Sequence, residues 1–290
     1  MKFKFILIFI ISFAFSISDY VFTGARNSAL AGAVSSATNL KSFHQNPALL
    51  NEENTNFVNL ESNNQYGLDF LENQSIIGTF NISKIGRIGV YFNQFSVDYF
   101  QKLSSEQQFG ISKGFVFQKD RHSFLGIGIS LNSYQIKFGK SAGINGDGSS
   151  FSFGESSFKQ FGVDVGVLAS LRGKYRFGAF IKNINSPQIG SGVSSSYLPR
   201  RVSVSSTYSP IDEFSFTFEL ENELGKNLQI QNGIQYQVIS GLQLLAGIQS
   251  NPNRFGFGLF YSTKIIDIGW SLLSHQILPF THSFSVGYNF

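Results

Sequence analysis

The residues that could do chemistry are few and poorly spaced for it. The 290-residue chain has no cysteine and four histidines, His44, His122, His275 and His282. The nearest approach to a hydrolytic cluster is His282 with Ser283 and Ser285, plus His275 across the preceding connection. A serine nucleophile needs a base within hydrogen-bond reach and a third group to orient that base. In an extended strand the two serines share one face while His282 takes the other, so the base points away from its nucleophiles. No two histidines sit at ligand spacing and no thiolate exists, which leaves no zinc site. The Gly-rich stretch from Gly143 to Ser150 carries one acid and no following helix, so it reads as an outside loop rather than a calcium or phosphate loop. Neither an enzyme nor a bound cofactor or metal is expected. The formal charge of +4 is scattered without a Lys/Arg run, which argues against nucleic acid as a partner.

The remaining charges follow a pattern of their own. Glu219, Glu221 and Glu223 recur at every second residue, opposite Phe214, Phe216, Phe218 and Leu220. Asp164, Arg176, Lys182, Arg201 and Asp267 fall on the corresponding polar side of other alternating segments. Such a set could line a hydrated, ion-paired interior, because charge on a lipid face is expensive. Lys113 breaks the rule by sharing a register with Phe109, Ile111, Phe115 and Phe117. A lysine facing lipid at the midplane would cost roughly 2–4 kcal/mol. Either a bulge at Gly114 shifts the register, or Lys113 lies near an interface and snorkels, or that strand is wrongly placed.

The elements that must position these residues are strands. From about residue 55 onward, segments near ten residues long and rich in Phe, Ile, Val and Tyr alternate with turn signals. Segments are expected at about 55–63, 75–83, 86–96, 107–117, 122–137, 158–170, 174–183, 200–208, 213–223, 227–238, 240–249, 254–263, 265–275 and 281–290. The last of them carries Phe284, Val286, Tyr288 and the terminal Phe290 on one face, an arrangement similar to the assembly signal of outer-membrane barrels. Aromatics make up 16% of the chain and charged residues 14%, while mean hydropathy is +0.02. Apolar content is thus spread thinly, as it is where each membrane crossing is a short alternating segment. Lys2 and Lys4 precede an apolar run and then Ser16-Ile17-Ser18, the layout of a cleaved secretory signal over residues 1–18. These features predict an all-β fold, a transmembrane antiparallel outer-membrane β-barrel of about fourteen strands over residues 55–290. Short connections fall on the side shared by both chain ends, and longer ones at about 64–74, 97–106, 138–157, 184–199 and 276–280 fall opposite. That asymmetry puts both termini in the periplasm.

Residues 19–54 do not alternate. They contain Gly24-Ala25-Arg26, then Ala29-Leu30-Ala31-Gly32-Ala33, then Asn46-Pro47-Ala48-Leu49-Leu50, and Pro47 biases Asn46 away from helical geometry. This pattern, between a signal peptide and a barrel with a terminal Phe, resembles the PorV/PorQ branch of the FadL-like outer-membrane proteins. The resemblance implies a hatch over residues 19–54, folded into the barrel, with Asn46, Pro47 and Ala48 in a lumenal turn and Gly24, Ala25, Arg26 and Gly32 in its first element. Two functions follow from it: a hatch-plugged conduit for small hydrophobic solutes, or an outer-membrane component of type IX secretion that binds exported proteins or the secretion machinery. Outer-membrane lipid and the barrel assembly machinery are further expected partners.

Overall fold

The computed structural model describes residues 24–52, 55–144, 150–190 and 195–290; the expected signal segment lies outside these. In chain order the described elements are a short helix α1 (Ala25–Ala29), then β1 (Phe57–Asn64), β2 (Leu71–Ile82), β3 (Gly86–Tyr99), β4 (Gln101–Lys119), β5 (Phe124–Phe138), β6 (Ser141–Ile144), β7 (Ser150–Phe153), β8 (Ser156–Leu171) and β9 (Tyr175–Lys182). They continue with β10 (Gln188–Ile189), β11 (Ser196–Tyr197), β12 (Arg201–Ile211), β13 (Phe214–Glu223), β14 (Gln229–Ile239), β15 (Leu242–Gln249), β16 (Arg254–Ser262), β17 (Ile266–Leu273) and β18 (Thr281–Asn289). Fourteen of these strands form one closed antiparallel barrel; β6 pairs only with β7, and β10 only with β11.

Closure is made by β1 against β18, from Phe57 opposite Asn289 to Asn64 opposite His282. It leaves no sheet edge to face lipid, which is what a spanning β-structure requires. Each of the fourteen expected segments overlaps one barrel strand. The alternation sorts as its residue types demand: Phe284, Val286, Tyr288 and Phe290 are exposed on the outside, while Ser283 and Ser285 are buried inside. His282 falls on the outward register, away from both serines.

Lys113 also faces outward, on the rung formed with Ile88 and Ile129. The ladder runs unbroken through Gly114, and the register shifts only between Val116 and Gln118, so the bulge expected at Gly114 is not where the irregularity lies. The lysine instead reaches the Ile85 carbonyl in the β2–β3 turn, placing its ammonium at the end of the barrel. That is snorkelling.

The expected loop at 97–106 is another correction. β3 and β4 run on to Tyr99 and Gln101, and Phe100 makes the turn alone with φ 57. β3, β4, β5 and β8 have 14, 19, 15 and 16 residues, beyond the 9–11 that a bilayer needs. Their outward faces mark the edge of the belt: the rung of Phe92, Phe109, Ser133 and Phe161 is followed one step out by Gln94, Gln107, Gln135 and Lys159. The upper part of this wall therefore stands clear of the apolar band.

Candidate functional site

Residues 24–52 lie within the lumen. Ala25, Leu30, Ala31, Ala33, Ser36, Phe43, Asn46 and Ala48 have no appreciable exposure. The backbone of this segment is pressed against glycines of the wall. On one side Gly114, Gly128 and Gly166 form a single rung across β4, β5 and β8, and a Cβ built on Gly128 would overlap the Pro47 carbonyl and the Ala48 amide. On the other, Gly233, Gly247 and Gly256 form a rung across β14, β15 and β16, and a Cβ on Gly247 would overlap the Leu30 backbone. Glycine is needed at these positions for the absence of a side chain.

Asn46 is extended (φ −156°, ψ 104°), as the following proline requires. Its Oδ1 accepts from the Ala48 amide at 3.0 Å and its Nδ2 donates to the Ser35 carbonyl at 2.7 Å and the Val167 carbonyl at 3.3 Å. Pro47 opens a 3₁₀ turn over Pro47–Asn51. One side chain thus caps a turn, ties two parts of the hatch together and reaches the wall.

The lumen charges hold this segment. Glu219 Oε2 accepts from the Val34 and Ser35 amides, each at 2.9 Å, and Oε1 accepts from the Ser35 hydroxyl. Arg176 donates to the Ser36 and Ala37 carbonyls at 2.7 and 2.8 Å and pairs with Glu52. Arg201 donates to Gln45 at 2.5 Å and pairs with Glu221 at 3.5 Å. Asp267 pairs with Lys41, whose ammonium is pushed below its ordinary range by burial against the opposing pull of Asp267. Arg26 donates to Gln243 at 2.9 Å and lies over the Phe260 ring at 4.5 Å. Asp164 instead accepts from Asn132 and the Asn183 amide, within the wall. Glu223 pairs with Lys226 at 3.1 Å, and Lys182 lines a cavity. Gly24 packs against Glu61, and Gly32 is buried.

Sequence reasoning passed over Lys41, Glu52 and Glu61. Glu61 was findable, since it sits in register with inward Phe57 and Asn59 of β1. Lys41 and Glu52 carry no periodic signal, because the hatch has none.

A cavity of about 150 Å³ lies on the side of the hatch away from the Asn289 end of β18. His44 and Gln45 of the hatch form its floor, and Tyr91, Asn93, Phe95, Gln108, Tyr134 and Ile136 its tall wall. The connection from β9 to β12, one of the longer ones expected, folds inward where it is described. Its Ile189 and Leu198 pack with Tyr134 and Ile136, while Leu198 and Pro199 line the cavity. Among the described residues no group of three His, Cys, Asp or Glu could hold a metal.

A closed fourteen-stranded barrel with an apolar outer belt and a segment of its own chain in the lumen defines a plugged outer-membrane-type barrel. Over residues 10–223 the chain matches the family described as F plasmid transfer operon, TraF, protein, and it belongs to that family. The fold is shared with the Pseudomonas putida toluene transporter TodX, at 12% identity and TM-score 0.63 over 92% of this chain and 98% of that one. It is shared also with the monoaromatic hydrocarbon channel CymD, at 11% identity and TM-score 0.62 over 92% and 97% of the two chains. A FadL homologue of Pseudomonas aeruginosa aligns at 10% identity and TM-score 0.61 over 92% and 98%. No curated protein matches the chain in sequence.

Proposed function

We propose that this chain is a non-enzymatic outer-membrane conduit for small hydrophobic solutes, gated by its own N-terminal hatch, with both termini in the periplasm. The observation that carries this reading is the stacking of a ring-sized cavity, part-walled by Tyr91, Phe95, Tyr134 and Ile136, directly on a hatch that fills the lumen beneath it. The solutes named for TodX and CymD, toluene and monoaromatic hydrocarbons, agree with it. Uptake of a monoaromatic solute into proteoliposomes tests it: a rate above that of protein-free vesicles is expected, and equality with them would sink it.

The second reading, a PorV/PorQ-type component of type IX secretion, draws on the fastening of the hatch. Glu219, Arg176 and Asp267 grip it from β13, β9 and β17, which suits a lumen that stays shut while the rim binds partners. Crosslinking in the native host separates the two. Secretion proteins captured with the barrel would favour the second, and a barrel recovered alone would favour the first.

A further inference from the structure

We propose that the β2–β3, β4–β5 and β8–β9 turns together form a binding surface for the headgroups of anionic phospholipids. The lipid chemistry follows from charge and position. Only the leaflet rests on the orientation proposed above, which makes it the periplasmic one.

The three turns lie side by side at the end of the barrel marked by Phe57 and Asn289. Ile82 pairs with Gly86, Lys119 with Phe124 and Leu171 with Tyr175, on strands that are neighbours in the wall. Positive charge is gathered there. Lys84, Lys119, Arg121, Arg172 and Lys174 are all exposed, and Asp120 is the one acid among them. None of the five has a carboxylate partner among the described residues. Elsewhere on this rim the charge differs: the β12–β13 turn holds Asp212 and Glu213, the β14–β15 turn holds no charge, and the β16–β17 turn holds Lys264 alone. The rim is therefore basic on one arc only.

Most of this arc is held in place. The Gly173 amide donates to the His122 carbonyl at 2.9 Å, and the Arg172 amide donates to the Ser123 hydroxyl at 3.1 Å. These bonds tie the β8–β9 turn to the β4–β5 turn, so Lys119, Arg121, Arg172 and Lys174 share one platform. Like charges kept together without a counter-ion repel one another until an anion comes between them.

Depth decides between a lipid and a protein as the anion's source. Lys113, rooted on the outward face, reaches the Ile85 carbonyl of the β2–β3 turn, so this turn stands where a lipid-facing side chain meets water. Next to Lys174, Tyr175 stacks on Tyr208 at 5.0 Å on the outside of the wall, as aromatic rings do at headgroup level. Phe115, Phe117 and Leu171 are exposed beside the same turns. The cations thus stand directly over apolar wall, where a phosphate binds at the turns and its acyl chains run along the strands. An acidic protein in the aqueous space would meet the charges and not that wall. Guanidinium and ammonium groups so placed bind phosphate oxygens through charge-assisted hydrogen bonds.

The test titrates the full chain, in neutral detergent micelles, with phosphatidylglycerol or phosphatidylcholine and reads the bound lipid by native mass spectrometry. Phosphatidylglycerol is expected to bind about tenfold tighter, what one or two engaged cations supply, and the preference is expected to shrink as salt rises. A variant carrying Lys119→Gln, Arg121→Gln, Arg172→Gln and Lys174→Gln is expected to lose the preference. A second variant carrying Lys102→Gln, Lys137→Gln, Lys140→Gln and Lys159→Gln removes as much charge from the opposite end of the same wall and is expected to keep it. Equal binding of the two lipids, a preference that survives the first variant, or one that the second also abolishes would overturn the proposal. So would soluble poly-glutamate binding as tightly as phosphatidylglycerol, which would give the arc to an acidic protein. Should either variant fail to yield a heat-modifiable band, the salt dependence of the unaltered chain decides, and a salt-independent preference overturns the proposal. Orientation is read separately: Ser240→Cys, in a chain with no other cysteine, is expected to resist an impermeant maleimide on intact cells. Labelling there would remove the periplasmic placement, while the lipid preference stands or falls in the micelles.

Discussion

Glu219 takes three hydrogen bonds from two adjacent hatch residues, two of them from backbone amides that lie deep in the barrel. Losing the carboxylate strands those donors away from water, at roughly 1–3 kcal/mol for each unsatisfied group. Glu219→Ala should therefore loosen the segment around Val34–Ala37 while leaving the β12–β13–β14 ladder intact, since that ladder is a backbone matter. Faster limited proteolysis of the hatch at unchanged heat modifiability is the expected result, and unchanged proteolysis would show that the carboxylate is not a fastening. Lys113 makes the opposite case. Its ammonium already reaches the Ile85 carbonyl at the barrel's end, so Lys113→Met should change stability by less than about 1 kcal/mol, or raise it, in contrast to the cost of a midplane lysine. Urea refolding into lipid vesicles measures the difference, and a loss of several kcal/mol would mean that the lysine holds the β2–β3 turn.

At the scale of elements, the strands were legible, and of the longer outer connections only the one expected at 97–106 was not. Alternation is a local property: Phe214, Phe216 and Phe218 against Ser215, Thr217 and Glu219 fix both the strand and its facing before any partner is known. The Tyr99-Phe100-Gln101 turn carries no Gly, Pro, Asn or Asp, so nothing in the sequence stops β3 or starts β4 there, and a loop was expected instead. The same limit hides the match between hatch and wall. Gly128 and Pro47 are brought together only by closure of the barrel around the hatch, and no spacing rule connects them. That contact makes a sharp prediction. Gly128→Val needs a side chain where the Pro47 carbonyl lies, and a strand residue on β5 is less free to move than a 3₁₀ turn. The variant should form the barrel and leave the hatch unseated, seen as a heat-modifiable band with a protease-sensitive N-terminal segment. Gly154→Val is the control, because nothing lies within 4 Å of a Cβ built there. Equal protection in the two variants would mean that the hatch is not seated on that rung.

For the whole molecule the question is whether the barrel needs its hatch. The fourteen strands close on themselves through β1 and β18, so backbone pairing is complete without any residue of the 24–52 segment. What the hatch adds is the lumen's own packing: Phe43, Leu49 and Leu50 lie with Phe57, Ile77, Tyr91 and Leu168 of the wall, and Ala29, Leu30 and Val34 with Leu245 and Phe260. Removing it exchanges those contacts for water and leaves Glu219, Arg176 and Asp267 solvated rather than paired, a loss that a polar, water-filled lumen can bear. Deletion of residues 24–50 should accordingly keep a heat-modifiable barrel and raise single-channel conductance in planar bilayers well above that of the full chain. A barrel that forms but conducts no better would place the obstruction in the inward-folded connection between β9 and β12 instead. Failure to form any barrel would make the hatch a scaffold for strand closure, and gating would then have to be sought in smaller movements of Ser35 and Asn46 against the wall.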